Sequence, residues 1–402
     1  MLTPVEVKFG MLARHAVLVG PLLAAALFSC GSRFGAPARQ APSTTETNVQ
    51  LRAFLQQGSS ALKSGENAQA ENAYRQALAL APRSLEILNN LAIALAKQGK
   101  LQDAIPFYKR ALSLKPGDPP TERNLALAYF KLQDYARALP LLASLHRRAP
   151  SDFQLADLLG LSYFGLDRYT EAAKYLDLAS NLQPADLPTL YMLGQARLRC
   201  EDYKAVTTVF ARIMDIDPHS AEAHVMMGTA YDKTFQQSKA LQEYLAAEQA
   251  NPDFPGVHSG LGLLYWKQND VEHAEAEFHE ELKRFSSDAV SNCLLGEIAL
   301  RRDGLDEARS LFLAALAANP KYKQALFGLG KSEIKLGHPG QALDPLRKAV
   351  RLDPDYVEAH YQLGNALALL GRTDEARKER AISAAIQAKQ REEYAKKLQP
   401  KG

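Results

Sequence analysis

The fold is decided by residues 221–252, AEAHVMMGTAYDKTFQQSKALQEYLAAEQANP, because the closing proline of this stretch recurs at a fixed interval along the chain. Eight prolines stand at this interval, with a double interval between the sixth and the seventh: Pro82, Pro116, Pro150, Pro184, Pro218, Pro252, Pro320 and Pro354. The one break in this series is Ser286. A period of about 34 residues is the signature of an array of helix–turn–helix repeats. The sequence therefore predicts one supersecondary unit, repeated about ten times.

Three further positions recur at the same period and indicate how two helices pack in each repeat. Counted from Leu51, the eighth residue of each repeat is small, as at Gly228 and Gly262. The twentieth residue is alanine in nine repeats, as at Ala240, and the twenty-fourth is large and apolar in nine, as at Tyr244. Two helices approach closely only where side chains are small, and a large side chain fills the space beside them. Each repeat is therefore predicted to be an antiparallel helix pair, which the proline ends.

This pattern resembles the tetratricopeptide repeat family. The sixth repeat carries the family's residues as Met227, Gly228, Tyr231, Ala240, Tyr244, Ala247 and Pro252, and the second as Leu91, Ala92, Leu95, Ala104, Tyr108, Ala111 and Pro116. The resemblance covers about residues 51–390 and implies an all-α, right-handed superhelical solenoid of about ten repeats. The fifth repeat has Val206 and Ile213 at small positions, and the seventh has Glu281 where alanine is expected. We expect looser packing in both, and a bend or a binding site in the repeat that Ser286 closes.

Composition and charge exclude other classes of protein. A formal net charge of +3 over 402 residues provides no basic surface of the kind that nucleic acids need. No sustained alternation of β-branched residues predicts a strand. Residues 391–402 form a basic tail. We interpret the last stretch, from Arg372, as the solvated capping helix of the array, with a phosphate or anionic-lipid contact as the alternative.

The N-terminus indicates export. Residues 16–28 form an apolar run preceded by Arg14, which is shorter than the roughly 20 residues that span a bilayer and suits a signal peptide. We interpret residues 1–29 as this signal peptide, with Met11 as an alternative start. The run ends in Leu27-Phe28-Ser29-Cys30, followed by Gly31, and resembles the lipobox of bacterial lipoproteins.

The lipobox resemblance implies cleavage before Cys30 and attachment of lipid to this residue, which anchors the protein in a membrane. The alternatives are an ordinary signal peptide cleaved elsewhere and an uncleaved membrane anchor. Gly31 in place of aspartate favours the outer membrane, on its periplasmic side. Residues 30–50 hold few core-forming side chains and are predicted to be a flexible tether. Cys200 and Cys293 lie three repeats apart, beyond the roughly 7 Å that a disulfide spans.

No catalytic, cofactor-binding or metal-binding residues are predicted. Residues 328–332, GLGKS, resemble the end of a phosphate-binding loop, but Ala325 stands where that motif needs glycine. His273 and His279 are six residues apart, whereas two metal ligands on one helix face would be four apart. Three histidines share the fourth position of their repeats and are too distant to share a metal ion: His224, His258 and His360. We therefore expect no enzyme.

The family resemblance also implies where a partner binds. In tetratricopeptide arrays the first helix of each repeat lines the concave surface, mainly through its second, fifth, ninth and twelfth residues. The candidate binding residues on this surface are Arg123, Phe130, Phe164, Tyr191, Gln195, Trp266, Glu297, Phe327, Lys331 and Tyr361. Aromatic side chains facing solvent in a groove are typical of interaction sites. The alternative is that the following helix covers some of them. Trp266, the single tryptophan, is the first choice for a contact residue.

These observations favour a scaffold or adaptor without catalytic activity, held in the cell envelope by lipid at Cys30 and binding a peptide or protein segment in its groove. One alternative is a recruitment or regulatory subunit of an envelope enzyme complex that contains a hydrolase or protease. A second is a cytosolic module similar to a co-chaperone, which requires an uncleaved N-terminus. The sequence does not identify the partner.

Overall fold

The computed structural model describes residues 44–398 and contains twenty α-helices and no strand in this range. The first nine helices are α1 (Thr44–Ser64), α2 (Asn67–Leu80), α3 (Leu85–Lys97), α4 (Leu101–Leu114), α5 (Pro119–Lys131), α6 (Tyr135–Arg148), α7 (Phe153–Gly165), α8 (Tyr169–Leu182) and α9 (Leu187–Arg199). The others are α10 (Tyr203–Ile216), α11 (Ala221–Lys233), α12 (Gln237–Ala250), α13 (Val257–Lys267), α14 (Val271–Arg284), α15 (Ala289–Arg301), α16 (Leu305–Ala318), α17 (Lys323–Lys335), α18 (Pro339–Leu352), α19 (Val357–Leu369) and α20 (Thr373–Leu398). The prediction of an all-α fold built from helix pairs is confirmed.

The helix boundaries extend beyond the predicted array at both ends. Helix α1 begins at Thr44, inside the range 30–50 assigned to a tether, and α20 continues to Leu398, past residue 390. No helix of the described residues is long and apolar enough to cross a membrane. The predicted signal peptide and Cys30 lie outside the described residues, so both stay predictions.

The chain divides into two compact units, which separate between Cys200 and Glu201, inside the fifth repeat. We call the described part of the first, residues 44–200, the N-terminal stack, and that of the second, residues 201–398, the C-terminal stack. Within each stack, successive helices pack against each other in chain order. First helices of consecutive repeats also touch directly throughout α11 to α19, and in the N-terminal stack α3 touches α5 and α7 touches α9. The first helices therefore lie on the inner side of each stack.

Short polar side chains start most of the first helices. Each accepts a hydrogen bond from the backbone N–H three residues further on, and these N-cap residues are Ser84, Asp118, Asp152, Asp186, Ser220 and Asp288. Such a cap satisfies one of the N–H groups that the first turn leaves without a partner, and typically contributes about 1 kcal/mol.

The turn between the two helices of a repeat has one fixed conformation. The fifteenth residue of the repeat lies in this turn and has positive φ in every repeat: Gly65, Gly99, Gln133, Asp167, Glu201, Phe235, Asn269, Asp303, Gly337 and Gly371. Glycine, asparagine and aspartate tolerate this left-handed conformation best. The exceptions are Gln133, Glu201 and Phe235, and Phe235 is the bulkiest of them, with φ at 58° and the residue 91% exposed.

The predicted contact between the small eighth residue and the large twenty-fourth residue is confirmed. A Cβ atom on Gly262 would lie 2.6 Å from the Phe278 ring, which no unstrained structure permits. Two rings are held between glycines of consecutive repeats. Tyr244 lies between Gly228 and Gly260, and a Cβ on these glycines would come within 3.1 and 2.3 Å of the ring.

Phe312, which lies two repeats after Tyr244, is packed in the same way. Its ring lies between Gly296 of its own repeat and Gly328 of the next, where an added Cβ would come within 2.9 and 2.3 Å. Phe278, between these two examples, faces a repeat that has Leu294 at the position of Gly260 and Gly328. Close packing of this kind between repeats therefore occurs after Tyr244 and after Phe312. In the N-terminal stack a Cβ on Gly165 would come equally close, within 2.2 Å, to the Tyr135 ring of the preceding repeat.

Glu281 has a role that its place in the repeat does not reveal. Residue Phe254 stands where six first helices have a capping serine or aspartate, and α13 begins only at Val257. Its N-cap residue is Gly256, which has φ at 91° and no side chain to cap with. The Glu281 carboxylate accepts hydrogen bonds from the backbone N–H groups of Gly256 (2.9 Å) and Ser259 (3.1 Å) instead. A glutamate at an alanine position thus replaces a missing cap.

Polar contacts join neighbouring repeats as well. The Glu71 carboxylate on α2 accepts hydrogen bonds from Gln98 and Lys100 of the next repeat, at 2.9 Å each, and from Arg75 at 2.7 Å. Burial raises the pKa of Glu71, but the hydrogen bonds from Lys100, Arg75 and Gln98 outweigh burial and lower this pKa to about 2.

Candidate protein-binding surface

The ten candidate residues all lie on the inner side of a stack, at the fifth, ninth or twelfth positions of the first helices. We call the exposed side of these helices the first-helix face. Nine of the ten candidate side chains are half-buried, and Tyr361 is 51% exposed. Each stack carries five candidates: Arg123, Phe130, Phe164, Tyr191 and Gln195 in the N-terminal stack, and Trp266, Glu297, Phe327, Lys331 and Tyr361 in the C-terminal stack. The structure therefore places them in two groups, one in each stack.

In the N-terminal stack the aromatic candidates are fixed by neighbouring rings. Phe130 packs edge-on against Tyr135, with ring centroids 5.5 Å apart, and Phe164 packs in the same way against Tyr169 at 5.2 Å. In both pairs the second ring begins the second helix of the same repeat. Aromatic pairs of this geometry contribute about 0.5–1.5 kcal/mol beyond their buried area. The rings are thus held in place while one side of each stays accessible.

Sequence reasoning missed the aliphatic side chains between these rings. Ile93, Leu127 and Leu161 occupy the ninth positions of three consecutive repeats and are half-buried on the first-helix face. With Phe130 and Phe164 they form an apolar row along α3, α5 and α7. The signal that could have found them is their spacing of exactly one repeat period, since three apolar ninth positions in succession predict a continuous row.

Arg123 is engaged with the next repeat. Its Nη2 atom lies 2.5 Å from Oδ2 of Asp152, the residue that caps α7. Burial raises the pKa of Asp152, but the hydrogen bonds from Arg123 and from the N–H of Leu155 outweigh burial and hold this pKa below its usual range. Breaking this pair would leave a helix cap without its counter-charge. Arg123 therefore stabilises the stack and borders the surface rather than offering a free charge.

A cavity of about 370 Å³ opens beside Arg123. Its lining residues are Pro119, Pro120, Arg123, Leu145, Arg148, Ala149 and Leu155. The guanidinium of Arg148 donates to the carbonyl oxygen of Gly117 at 2.8 Å, so both arginines at the cavity already have partners within the stack. Tyr191 and Gln195, at the far end of the same stack, are half-buried and interact with other residues.

In the C-terminal stack Trp266 is partly covered by a cation. The guanidinium carbon of Arg301 lies 4.2 Å from the centroid of the indole ring, and this contact joins α13 to α15. The indole also packs against the buried cluster that contains Phe278 and Leu294. A cation over an aromatic face contributes about 0.5–2 kcal/mol, depending on how far it is desolvated. Trp266 is thus a rigid, half-buried ring with a guanidinium over one face.

Two charged candidates lie on the helices that follow. Glu297 on α15 and Lys331 on α17 occupy the ninth positions of consecutive repeats, and both are half-buried. Burial raises the pKa of Glu297, although the positive charges of Arg301 and Lys331 act to lower it. Neither side chain forms a hydrogen bond or an ion pair with any residue that the structure describes.

Beyond Lys331 the surface is aromatic again. Phe327 packs against Tyr356, with ring centroids 5.2 Å apart, and Lys323 lies 5.6 Å from the centroid of the Tyr356 ring. The ammonium of Lys323 also lies 2.5 Å from Oδ2 of Asp353. Tyr361 is half-exposed and lies one repeat further on. The first-helix face of this stack therefore alternates between rings and charges.

The recurring histidines have a structural role that sequence reasoning did not identify. His224, His258 and His360 each place Nδ1 near a glutamate nineteen residues later, on the second helix of the same repeat. The Nδ1–Oε2 distances are 2.8 Å to Glu243, 2.8 Å to Glu277 and 2.6 Å to Glu379. The signal in the sequence is the joint recurrence of histidine and glutamate at this separation.

The motif-like run at residues 328–332 forms part of α17 and is no loop. Gly328 and Gly330 pack against Phe312 and Leu346, and Ser332 Oγ donates to the carbonyl oxygen of Gly328 at 2.9 Å. A phosphate-binding loop needs free backbone N–H groups, which a helix interior does not offer. Within residues 44–398, no group of three or more His, Cys, Asp and Glu side chains is arranged to hold a metal ion.

Comparison with known proteins agrees with this architecture. Family models described as tetratricopeptide repeat match residues 55–119, 95–161, 154–186, 225–289, 293–333 and 327–390. The chain belongs to the tetratricopeptide repeat family. The sequence resemblance is thereby confirmed for the repeats, and the coarse functional statement that follows is a protein-binding scaffold.

Several curated proteins share part of the array. Protein FlbA of Caulobacter vibrioides is 27% identical over 183 residues, which cover 44% of this chain and 30% of FlbA. Protein O-mannosyl-transferase TMTC3 of Mus musculus is 26% identical over 177 residues, covering 40% of this chain and 19% of TMTC3. Cellulose synthase 2 operon protein C of Komagataeibacter xylinus is 26% identical over 167 residues, covering 37% and 13%. The chain thus spans less than a third of the length of each.

Solved structures with the same repeat are also similar. YrrB, described as a protein with an unusual peptide-binding site, is 21% identical with a TM-score of 0.43, covering 50% of this chain and all of YrrB. MamA from Desulfovibrio magneticus RS-1 is 24% identical with a TM-score of 0.40, covering 42% of this chain and 96% of MamA. This likeness concerns the fold alone.

Proposed function

We propose that the protein is a scaffold or adaptor without catalytic activity, and that it binds a peptide or protein segment on its first-helix face. One observation carries the proposal. Each stack presents a row of half-buried apolar or aromatic side chains on the inner side of its first helices, centred on Phe130 and Phe164 in one and on Trp266 and Phe327 in the other. Rigid aromatic rings with one accessible side are the residues that contribute most to binding at protein interfaces.

The side chains on this face are already ordered before a partner binds. Phe130 and Phe164 are fixed by neighbouring tyrosines, and Trp266 is fixed by Arg301. Since little side-chain freedom is lost on binding, more of the interaction energy appears as affinity. An amphipathic helix or an extended segment with apolar side chains at regular intervals fits such rows.

Paired alanine variants test the surface. We expect affinity capture from a membrane extract to recover fewer partners with Phe130→Ala/Trp266→Ala than with the wild-type protein. Leu313→Ala is the matched control, because Leu313 is 48% exposed on a second helix and away from the first-helix face. Equal recovery of every partner by all three proteins would place binding elsewhere. Recovery of a hydrolase or protease would favour the role of a recruitment subunit.

We further propose that Cys30 carries lipid and holds the protein at a membrane, with the periplasmic side of the outer membrane favoured. The sequence Leu27-Phe28-Ser29-Cys30-Gly31 supports this proposal. Intact mass of the protein from the membrane fraction tests it, and the expected N-terminal residue is an acylated Cys30. The control is Cys30→Ala, which should leave the membrane fraction. A chain that begins at unmodified Ser32, or still begins at Met11, would contradict the anchor.

A further inference from the structure

Glu297 and Lys331 are two half-buried side chains of opposite charge on the first-helix face of the C-terminal stack. Neither forms a hydrogen bond or an ion pair with any residue between 44 and 398. Two other charged side chains on the first helices of this stack, Asp232 and Arg301, have close partners. Asp232 lies 2.6 Å from the ammonium of Lys267, and Arg301 lies over an indole ring.

A charge that is partly removed from water without a partner costs free energy. Glu297 and Lys331, which have opposite charges, lie on α15 and α17, and these helices touch each other. The two charges attract each other, yet they form no ion pair within 4.0 Å. Burial holds the pKa of Glu297 above its usual value even though Arg301 and Lys331 are near, because no donor contacts the carboxylate. An external segment that brings charges of the opposite order would satisfy both groups at once.

The spacing of the helices sets what such a segment looks like. Packed helices lie about 8–10 Å apart, so equivalent positions on α15 and α17 are separated by about that distance. An extended segment spans it in about three residues, and an α-helix in about seven. The flanking rings define the rest of the segment, since Trp266 lies one repeat before Glu297, and Phe327 shares α17 with Lys331.

We propose that Glu297 and Lys331 form a two-charge clamp that selects, and orients, a segment carrying a basic and an acidic residue about 10 Å apart with apolar side chains on either side. The basic residue lies over Glu297 and the acidic residue over Lys331. This inference rests on the proposed function, because it names the chemistry of the segment that the first-helix face binds. Direction follows from it, since a segment that lies in reverse would place like charges together.

Charge reversal in a defined library tests the clamp. The probe is a displayed library of random dodecapeptides, selected on the full-length wild-type protein and on Glu297→Lys/Lys331→Glu, which keeps the net charge. The matched control is Glu275→Arg/Arg302→Glu, which exchanges an exposed ion pair (2.7 Å) at the turn side of α14 and α15. A further selection on Trp266→Ala reports whether peptides use the first-helix face at all.

We expect peptides from the wild type to be enriched in basic and acidic residues three or seven apart. Synthetic versions of these peptides should bind the reversed variant at least about tenfold more weakly than the wild type, equivalent to about 1.4 kcal/mol. They should bind the control variant with the same affinity as the wild type. Peptides that need Trp266 but bind the reversed variant equally well would overturn the clamp and leave the proposed function standing. A selection in which no peptide depends on Trp266 would overturn both.

Discussion

The substitution Glu281→Ala tests whether Glu281, the residue that breaks the repeat pattern, caps the start of α13. The change restores the residue that the neighbouring repeats have at this position, Ala247 and Ala315. Similarity to the other repeats alone predicts that this change stabilises the protein. The structure predicts a loss, because the Glu281 carboxylate is the acceptor for the N–H groups of Gly256 and Ser259 at the start of α13.

The size of the loss follows from these two bonds. Each buried N–H group left without an acceptor costs about 1–3 kcal/mol, which gives about 2–6 kcal/mol for the pair. Part of this is offset, because the variant no longer buries a carboxylate that is 1% exposed and whose pKa burial raises. We expect a net destabilisation of about 2 kcal/mol, confined to the seventh repeat and its neighbours.

Native-state hydrogen exchange is the suitable assay, because a repeat array does not unfold in a single all-or-none step. Amide protection in α13, Val257–Lys267, should fall by about thirtyfold in Glu281→Ala, since each 1.4 kcal/mol is a factor of ten. Protection in α3 should be unchanged. The matched control is Ala247→Glu, where Ser220 already caps α11. That new carboxylate has no vacant donors and should destabilise its repeat. Unchanged protection of α13 in Glu281→Ala would refute the capping role.

Three other predictions concern single contacts. Gly328→Ala should lower the stability of its repeat by about 1–3 kcal/mol, because its Cβ would lie 2.3 Å from the Phe312 ring. Gly340→Ala, on the same pair of helices, meets nothing within 4 Å and should be neutral or stabilising. Hydrogen exchange in α17 and α18 compares the two variants. Glu71→Gln should reduce stability by about 1 kcal/mol near neutral pH, a value discounted because the basic partners are exposed. The difference between variant and wild type should disappear as the pH falls toward about 2, the pKa of Glu71, and melting curves at several pH values test this. Phe235→Gly should stabilise the sixth repeat by about 1 kcal/mol, because glycine adopts a φ of 58° without strain. Hydrogen exchange measures this change, and a loss of stability would show that the exposed ring makes a contact.

Much of the fold was predictable because its determinants are local and periodic. The proline series indicated the repeat, and the pairing of Gly262 with Phe278 followed from their separation within one repeat. Side-chain pairing between repeats was less accessible. The contact of Arg301 with Trp266 depends on the rotamers of side chains on two helices. No spacing rule predicts that Arg301, rather than its neighbour Arg302, covers the indole ring.

The repeat period placed the ten candidate residues on the first helices, and their role in binding a partner stays a prediction. Arg123 is bound to Asp152, whereas Glu297 and Lys331 form no hydrogen bond or ion pair with the residues that the structure describes. The capping role of Glu281 could not be read from sequence, because it depends on α13 starting two residues late. The anchor at Cys30 lies outside the described residues and stays a prediction.

The rings held between glycines of successive repeats bear on how such an array can be rearranged. Tyr244 needs the glycine at residue 260, and Phe312 needs the glycine at residue 328, two repeats further along. Deleting one repeat after Tyr244 would bring Leu294 against its ring, whereas deleting two would bring Gly328 there and keep the fit. The unit that can be removed, duplicated or exchanged without repacking this region is therefore a block of two repeats, although the sequence pattern returns after one.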